Sequence, residues 1–189
     1  MARTFDKIKI VACILAASFW FAPAIAQNIS TGCGKDMQQR HKQFLDELGK
    51  KNFYSKASTD KQASDELILW LQAANSRIVK HENAHKSTAG KWGGEITYLT
   101  FKWWGIEYAT AGCVPYKSGI PLNTLIRAQL APDRPSAHDQ NSAAKVQQFI
   151  KIKKARAECL LIRRKSHLAG EKCLKPYKAY KWLDRYPLD

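Results

Sequence analysis

Leu67-Ile68-Leu69-Trp70-Leu71-Gln72-Ala73-Ala74-Asn75-Ser76-Arg77-Ile78-Val79-Lys80-His81-Glu82-Asn83-Ala84-His85 sets the architecture to expect of this chain. Within it Leu67, Leu71, Ala74 and Ile78 recur at alternating steps of four and three, which is the period of one helix face. A single amphipathic helix is therefore predicted from about Asp60 to Ala89, with Gly90 as its stop. Extending the stripe by three and then four residues arrives at His81 and His85, so both imidazoles are expected on the face turned into the protein.

Histidines four apart on a helix reach one metal ion from adjacent turns. Glu82 lies one step round the helix, close enough to take a proton from water that the ion activates and off the line of ligands. His81 and His85 are thus the candidate metal ligands, Glu82 the candidate catalytic base and Zn2+ the expected cofactor. The competing reading leaves both histidines as partly buried polar residues bonded to neighbours, with Glu82 paired to Lys86 at i+4. A catalytic zinc takes a third protein ligand. Glu95, Glu107, Cys113, His138 and Asp139 all qualify, and each has a second explanation: strand-face charge, hairpin charge, disulfide, surface histidine and helix cap, in that order. The long metzincin form does not apply, because Thr88 stands where its glycine would be and Lys91 where its third histidine would be.

Outward from the motif, Lys35 to Lys51 is predicted to be a helix carrying apolar Met37, Phe44, Leu45 and Leu48 among charges. From Glu95 to Val114 the chain is rich in Thr, Tyr, Phe, Trp and Val, with Trp104-Gly105 between two such runs, which reads as a β-hairpin. Pro115, Gly119 and Pro121 mark a loop, and Leu122 to Leu130 a short helix. Ser136 is placed as N-cap of a helix from about Ala137 to Arg164, with Asp139 completing a capping box. The fold class expected is α+β, a helix-dominated zincin-like domain with a small antiparallel hairpin.

The N-terminus carries Arg3, Lys7 and Lys9, an apolar run from Ile8 to Ala24 and the closing Ala24-Ile25-Ala26, the three parts of a signal peptide. The run is shorter than the roughly 20 residues of a spanning helix, which favours cleavage over a retained anchor. Residues 1–26 are therefore expected to be removed, leaving one domain over 27–189 with a basic C-terminal extension from about 159, in the periplasm or the medium. Cys33, Cys113, Cys159 and Cys173 suit an oxidising compartment. Three pairings are possible; the short spacing of Cys159 and Cys173 favours that bridge and leaves Cys33 with Cys113.

The net charge of +15 favours anionic partners, and Lys151, Lys153, Lys154, Arg156, Arg163, Arg164 and Lys165 make the C-terminal third the densest in cations. The expected partners are a peptide or protein substrate and an anionic envelope surface, with no specific nucleic acid; the oligomeric state is left open. Trp92, Trp103 and Trp104 are read either as stacking surfaces or as core beside the hairpin. Tyr98, Tyr108 and His138 are candidates to stabilise an oxyanion.

Three stretches, Val79 to Gly90, Gly105-Ile106-Glu107-Tyr108-Ala109 with Gly112 and Val114, and Pro121 to Pro132 running into Arg134-Pro135-Ser136-Ala137-His138-Asp139, together with Tyr98, resemble the SprA-related family of bacterial metallopeptidases. The resemblance covers about residues 70 to 160. It implies zinc peptidase activity with His81 and His85 as ligands and Glu82 as general base. One departure stands out: Cys113 occupies the place of a glutamate in the family's Gly-Glu-Val pattern. If that glutamate is the family's third ligand, either Cys113 or Asp139 replaces it here, or the site is degenerate. An exported zinc metallopeptidase is the function expected; the alternative is a non-catalytic cationic protein that binds an envelope polymer on the same scaffold.

Overall fold

The computed structural model describes residues 33–189, so the signal peptide expected over residues 1–26 lies outside the described residues. Five helices and one two-stranded antiparallel sheet follow in the order α1 (Cys33–Gly49), α2 (Lys61–Ala89), β1 (Thr97–Trp103), β2 (Ile106–Cys113), α3 (Leu122–Gln129), α4 (Ala137–Lys165) and α5 (His167–Leu174), closed by a 3-10 segment, Lys175–Arg185. This is the helix-dominated α+β domain expected. Among the described residues no helix is long and apolar enough to cross a membrane.

Local chemistry accounts for the element ends. Asp60 caps α2, its side chain accepting from the backbone N–H groups of Gln62 and Ala63, and Gly90 closes the helix at a φ of 56°. Trp104 and Gly105 both take positive φ, 46° and 82°, the two-residue turn whose twist suits a hairpin. Ser136 and Asp139 form the expected capping box. α3 begins at Pro121 with no side-chain cap; instead the carbonyls of Pro187 and Leu188 accept from the N–H groups of Leu122 and Asn123 at 2.9 and 3.1 Å.

Two apolar clusters form the interior. Phe44, Leu48, Ala57, Leu67, Leu71, Ala74 and Tyr108 pack between α1, the lower half of α2 and the sheet. Ile120, Leu122, Leu125, Val146 and Tyr186 pack where α3, α4 and the C-terminal segment meet. Trp103 backs the first cluster and Trp92 the second, whereas Trp104 is exposed at the hairpin tip. Beyond Ala74, α2 leaves the first cluster, Glu82 lying against Gly112 of β2 and His85 against Ala128 of α3. The disulfides are Cys33–Cys113, tying the start of α1 to the end of β2, and Cys159–Cys173, tying α4 to α5. Closing a loop of 80 residues, the first is worth about 4 kcal/mol by chain entropy.

The segment after 165 folds back on the body. Arg156 is buried and donates to the Tyr177 carbonyl at 2.8 Å and to Asp184 Oδ2 at 2.9 Å, while Lys153 holds the carbonyls of Leu183 and Tyr186. Part of the basic density of α4 is therefore spent on holding the chain's own end.

Candidate metal centre

His81, Glu82 and His85 are presented by the upper half of α2, and Asp139 by the first turn of α4. His81 Nε2 and His85 Nε2 lie 3.0 Å apart. Asp139 Oδ2 is 3.3 Å from His81 Nε2 and Asp139 Oδ1 is 3.5 Å from His85 Nε2. Two neighbouring ligand atoms on a tetrahedral ion with bonds of 2.0–2.1 Å are about 3.3–3.4 Å apart. The three side chains thus have the spacing of a set that could hold one metal ion.

Two of the three side chains are oriented from behind. His85 Nδ1 is 2.7 Å from the Ala128 carbonyl of α3. Only an N–H can face a carbonyl oxygen at that distance, so Nδ1 carries a proton and Nε2 is the atom turned to His81 and Asp139, where it donates to the carboxylate or would give its electron pair to a bound ion. Asp139 Oδ2 accepts from the Ser136 N–H and hydroxyl, both at 2.7 Å. The capping box that starts α4 therefore also fixes the carboxylate at the site, so the cap and ligand readings of Asp139 coincide.

The local field favours a cation. Burial alone would raise the Asp139 pKa, but hydrogen bonds from His81, His85 and Ser136 outweigh it and hold the carboxyl far below the usual range. Burial alone would lower that of His85, but the hydrogen bonds to Asp139 and Ala128 and the charges of Asp139 and Glu82 raise it. Tyr116 is pushed above its ordinary value by burial and then by Asp139 and Glu82, which keeps its phenol neutral.

Glu82 is 2 % exposed. It does not pair with Lys86 among the described residues; Arg40 of α1 donates Nη1 to its Oε1 at 3.2 Å and Nη2 to the Gly112 carbonyl. The Arg40 Nε also lies 2.9 Å from Asp36 Oδ2. One guanidinium so ties α1, α2 and β2 around the candidate base and leaves Glu82 Oε2 without a hydrogen bond among the described residues. Gly112 is required here: a Cβ on it would stand 2.5 Å from Glu82 Cγ and 3.0 Å from Tyr98 Cδ1. Glu82, His85 and Asp139 border a cleft of about 740 Å³ whose other walls include Arg40, Tyr116 and Phe149.

The other proposed ligands stand outside the converging set, although Cys113 and His138 border the same cleft. Cys113 is bridged to Cys33 and has no thiolate to give. Glu107 accepts from Thr100 Oγ1 on the hairpin at 3.4 Å, and Glu95 is exposed ahead of β1. His138 is 48 % exposed and its Nδ1 sits 3.3 Å from Asp36 Oδ1. Of the oxyanion candidates, Tyr108 belongs to the first apolar cluster, while Tyr98 lies beside Gly112 next to Glu82. Arg40, Tyr116 and the Ala128 carbonyl had not been expected at the site. Arg40 was legible in part: it falls between Met37 and Phe44 on the inner stripe of α1, where a charged residue has to be paired.

Set against protein-family models, curated proteins and solved structures, the chain has no match.

Proposed function

We propose that this protein is an exported zinc metallopeptidase in which His81, His85 and Asp139 hold the ion and Glu82 is the general base. The observation that carries the reading is the convergence of two Nε2 atoms and one carboxylate at 3.0, 3.3 and 3.5 Å, with Glu82 on the cleft that His85 and Asp139 also border. The resemblance of residues 79–90 to the SprA-related metallopeptidases supports it, and membership of that family is part of the proposal. Export is supported by two disulfides in one small domain.

When bound, the zinc supplies a Lewis acid that polarises a carbonyl and acidifies water. Glu82 Oε2 takes a proton from the attacking water and returns it to the leaving amine nitrogen, so that one peptide bond and one water give a carboxylic acid and an amine. Arg40 keeps the Glu82 carboxylate turned into the cleft. The neutral phenol of Tyr116, in the same cleft wall, is a donor for the developing oxyanion. Loss of the third ligand would have favoured the non-catalytic alternative, and the position of Asp139 beside His81 and His85 weighs against it.

Metal content of the oxidised protein by mass spectrometry and hydrolysis of a peptide library test the reading. Glu82→Gln is expected to keep one zinc per chain and to lose at least about 100-fold in hydrolysis. Equal loss of metal in that variant would contradict the base assignment. A wild-type protein that holds no zinc after zinc is supplied would return the function to the binding protein.

A further inference from the structure

Leu160, Leu161 and Ile162 are 41, 56 and 41 % exposed, and Leu168 at the start of α5 is 68 % exposed. Successive helical residues turn by about 100°, so three exposed in a row face most of the circumference. The last turns of α4 therefore stand out from the body. α5 covers only the remaining side, through the Cys159–Cys173 disulfide and the Arg163–Glu171 pair at 3.5 Å. The disulfide makes the end a braced tip rather than a frayed one.

The charges around these side chains are mostly cationic, the acidic exceptions being exposed Glu158 and the Glu171 that pairs with Arg163. On the helical wheel Arg164 falls between Leu160 and Leu161, and Lys165 between Leu161 and Ile162. Both are exposed, and neither has a partner among the described residues, in contrast to Lys153 and Arg156, which hold the chain's end. Exposed Lys172 adds to the same end.

The mixture selects its occupant. A second copy of the tip would bring like charges together. A nucleic acid would pair the cations and leave the aliphatic groups in water. An anionic phospholipid surface meets both requirements, with phosphates for Arg164 and Lys165 and the acyl boundary for Leu160, Leu161 and Leu168. We propose that the α4–α5 tip docks the protein on anionic phospholipid. Leu161 is 22 positions beyond Asp139 on one helix, about 33 Å along its axis. A docked tip thus leaves Asp139 and the two histidines beside it at the far end of α4. The proposal does not depend on the chemistry at that centre.

Co-sedimentation with phosphatidylcholine vesicles, with and without phosphatidylglycerol, tests it. The wild-type protein is expected to partition onto the phosphatidylglycerol vesicles and not onto pure phosphatidylcholine. Leu160→Ser with Leu161→Ser, and separately Arg164→Glu with Lys165→Glu, are expected to weaken partition at least about tenfold. Lys56→Glu with Lys61→Glu removes the same charge from exposed positions elsewhere and is expected to stay within about twofold. Any contribution from the N-terminal segment is common to all four proteins. Equal losses in the two charge variants, or full binding by both tip variants, would overturn the proposal. So would wild-type dimerisation abolished by the two serines, or capture of an acidic peptide without vesicle binding. The four substituted tip residues are exposed, and if circular dichroism shows one variant unfolded, the other decides.

Discussion

The two halves of α2 are equally buried and chemically opposite. In the lower half Leu67, Leu71 and Ala74 are at most 1 % exposed; in the upper half Glu82 and His85 are 2 and 4 % exposed. Below, water is excluded by apolar surface, a non-directional effect worth about 2 kcal/mol per leucine. Above, a buried polar atom costs free energy unless a partner meets it at a set distance and angle. Those partners come from three other elements: Arg40 of α1, itself held by the Gly112 carbonyl of β2, the Ala128 carbonyl of α3 and Asp139 of α4. Hydrophobic periodicity therefore reports which face is inside, and only the partners decide whether that face can be polar.

The largest effect expected separates the halves outright. If the centre binds zinc as proposed, His85→Ala removes a ligand whose orientation Ala128 fixes, so the protein should lose stoichiometric zinc and all metal-dependent hydrolysis, read by mass spectrometry and peptide assay. Retained zinc would break the assignment of the site. Leu71→Ala should do the reverse: a loss of about 3 kcal/mol in urea unfolding, with zinc affinity unchanged while the protein is folded. Release of zinc by folded Leu71→Ala would show that the halves are coupled and that the division is drawn in the wrong place.

Arg40→Lys gives a smaller and sharper test. A lysine keeps the charge and loses the fork that spans Glu82 and the Gly112 carbonyl. Unfolding stability is expected to fall by about 1–2 kcal/mol, less than for a fully buried pair because the Arg40 side chain is 28 % exposed. If Arg40 positions the base, kcat should fall with KM and zinc content nearly constant. A change in KM alone would make Arg40 a substrate contact.

The parts of the fold that signal locally were legible. The α2 stripe, its Gly90 stop, the Trp104-Gly105 turn and the Ser136–Asp139 capping box are written within a few residues of where they act, and the structure places each as expected. The described part of α1 runs Cys33–Gly49 against the expected Lys35 to Lys51. The 3-10 segment Lys175–Arg185 had no forecast, because what holds it is distant in sequence: Arg156 of α4 donates to the Tyr177 carbonyl and to Asp184, and Lys153 to the Leu183 carbonyl. At the centre, His81, Glu82 and His85 shared one helix and so could be read from spacing. Asp139 was one of five candidates because its choice depends on how α4 packs on α2, and the same carboxylate already had a sufficient explanation as a cap.

The smallest effect is expected a single residue from the centre. Lys80 precedes His81 and donates to Asp133 at 2.8 Å, yet the two side chains are 78 and 81 % exposed. The pair raises the Lys80 pKa and lowers that of Asp133 through their hydrogen bond, but water and salt screen charges at such positions, and ordering two long side chains offsets the gain. Asp133→Asn should leave the thermal midpoint unchanged within error and zinc affinity within about twofold at physiological salt. The measurement is a paired melting curve and zinc titration at low and physiological ionic strength. If affinity moved more than that at both salts, the centre would be answering to surface charge, and the partners that permit a polar upper half of α2 would extend beyond the buried ones.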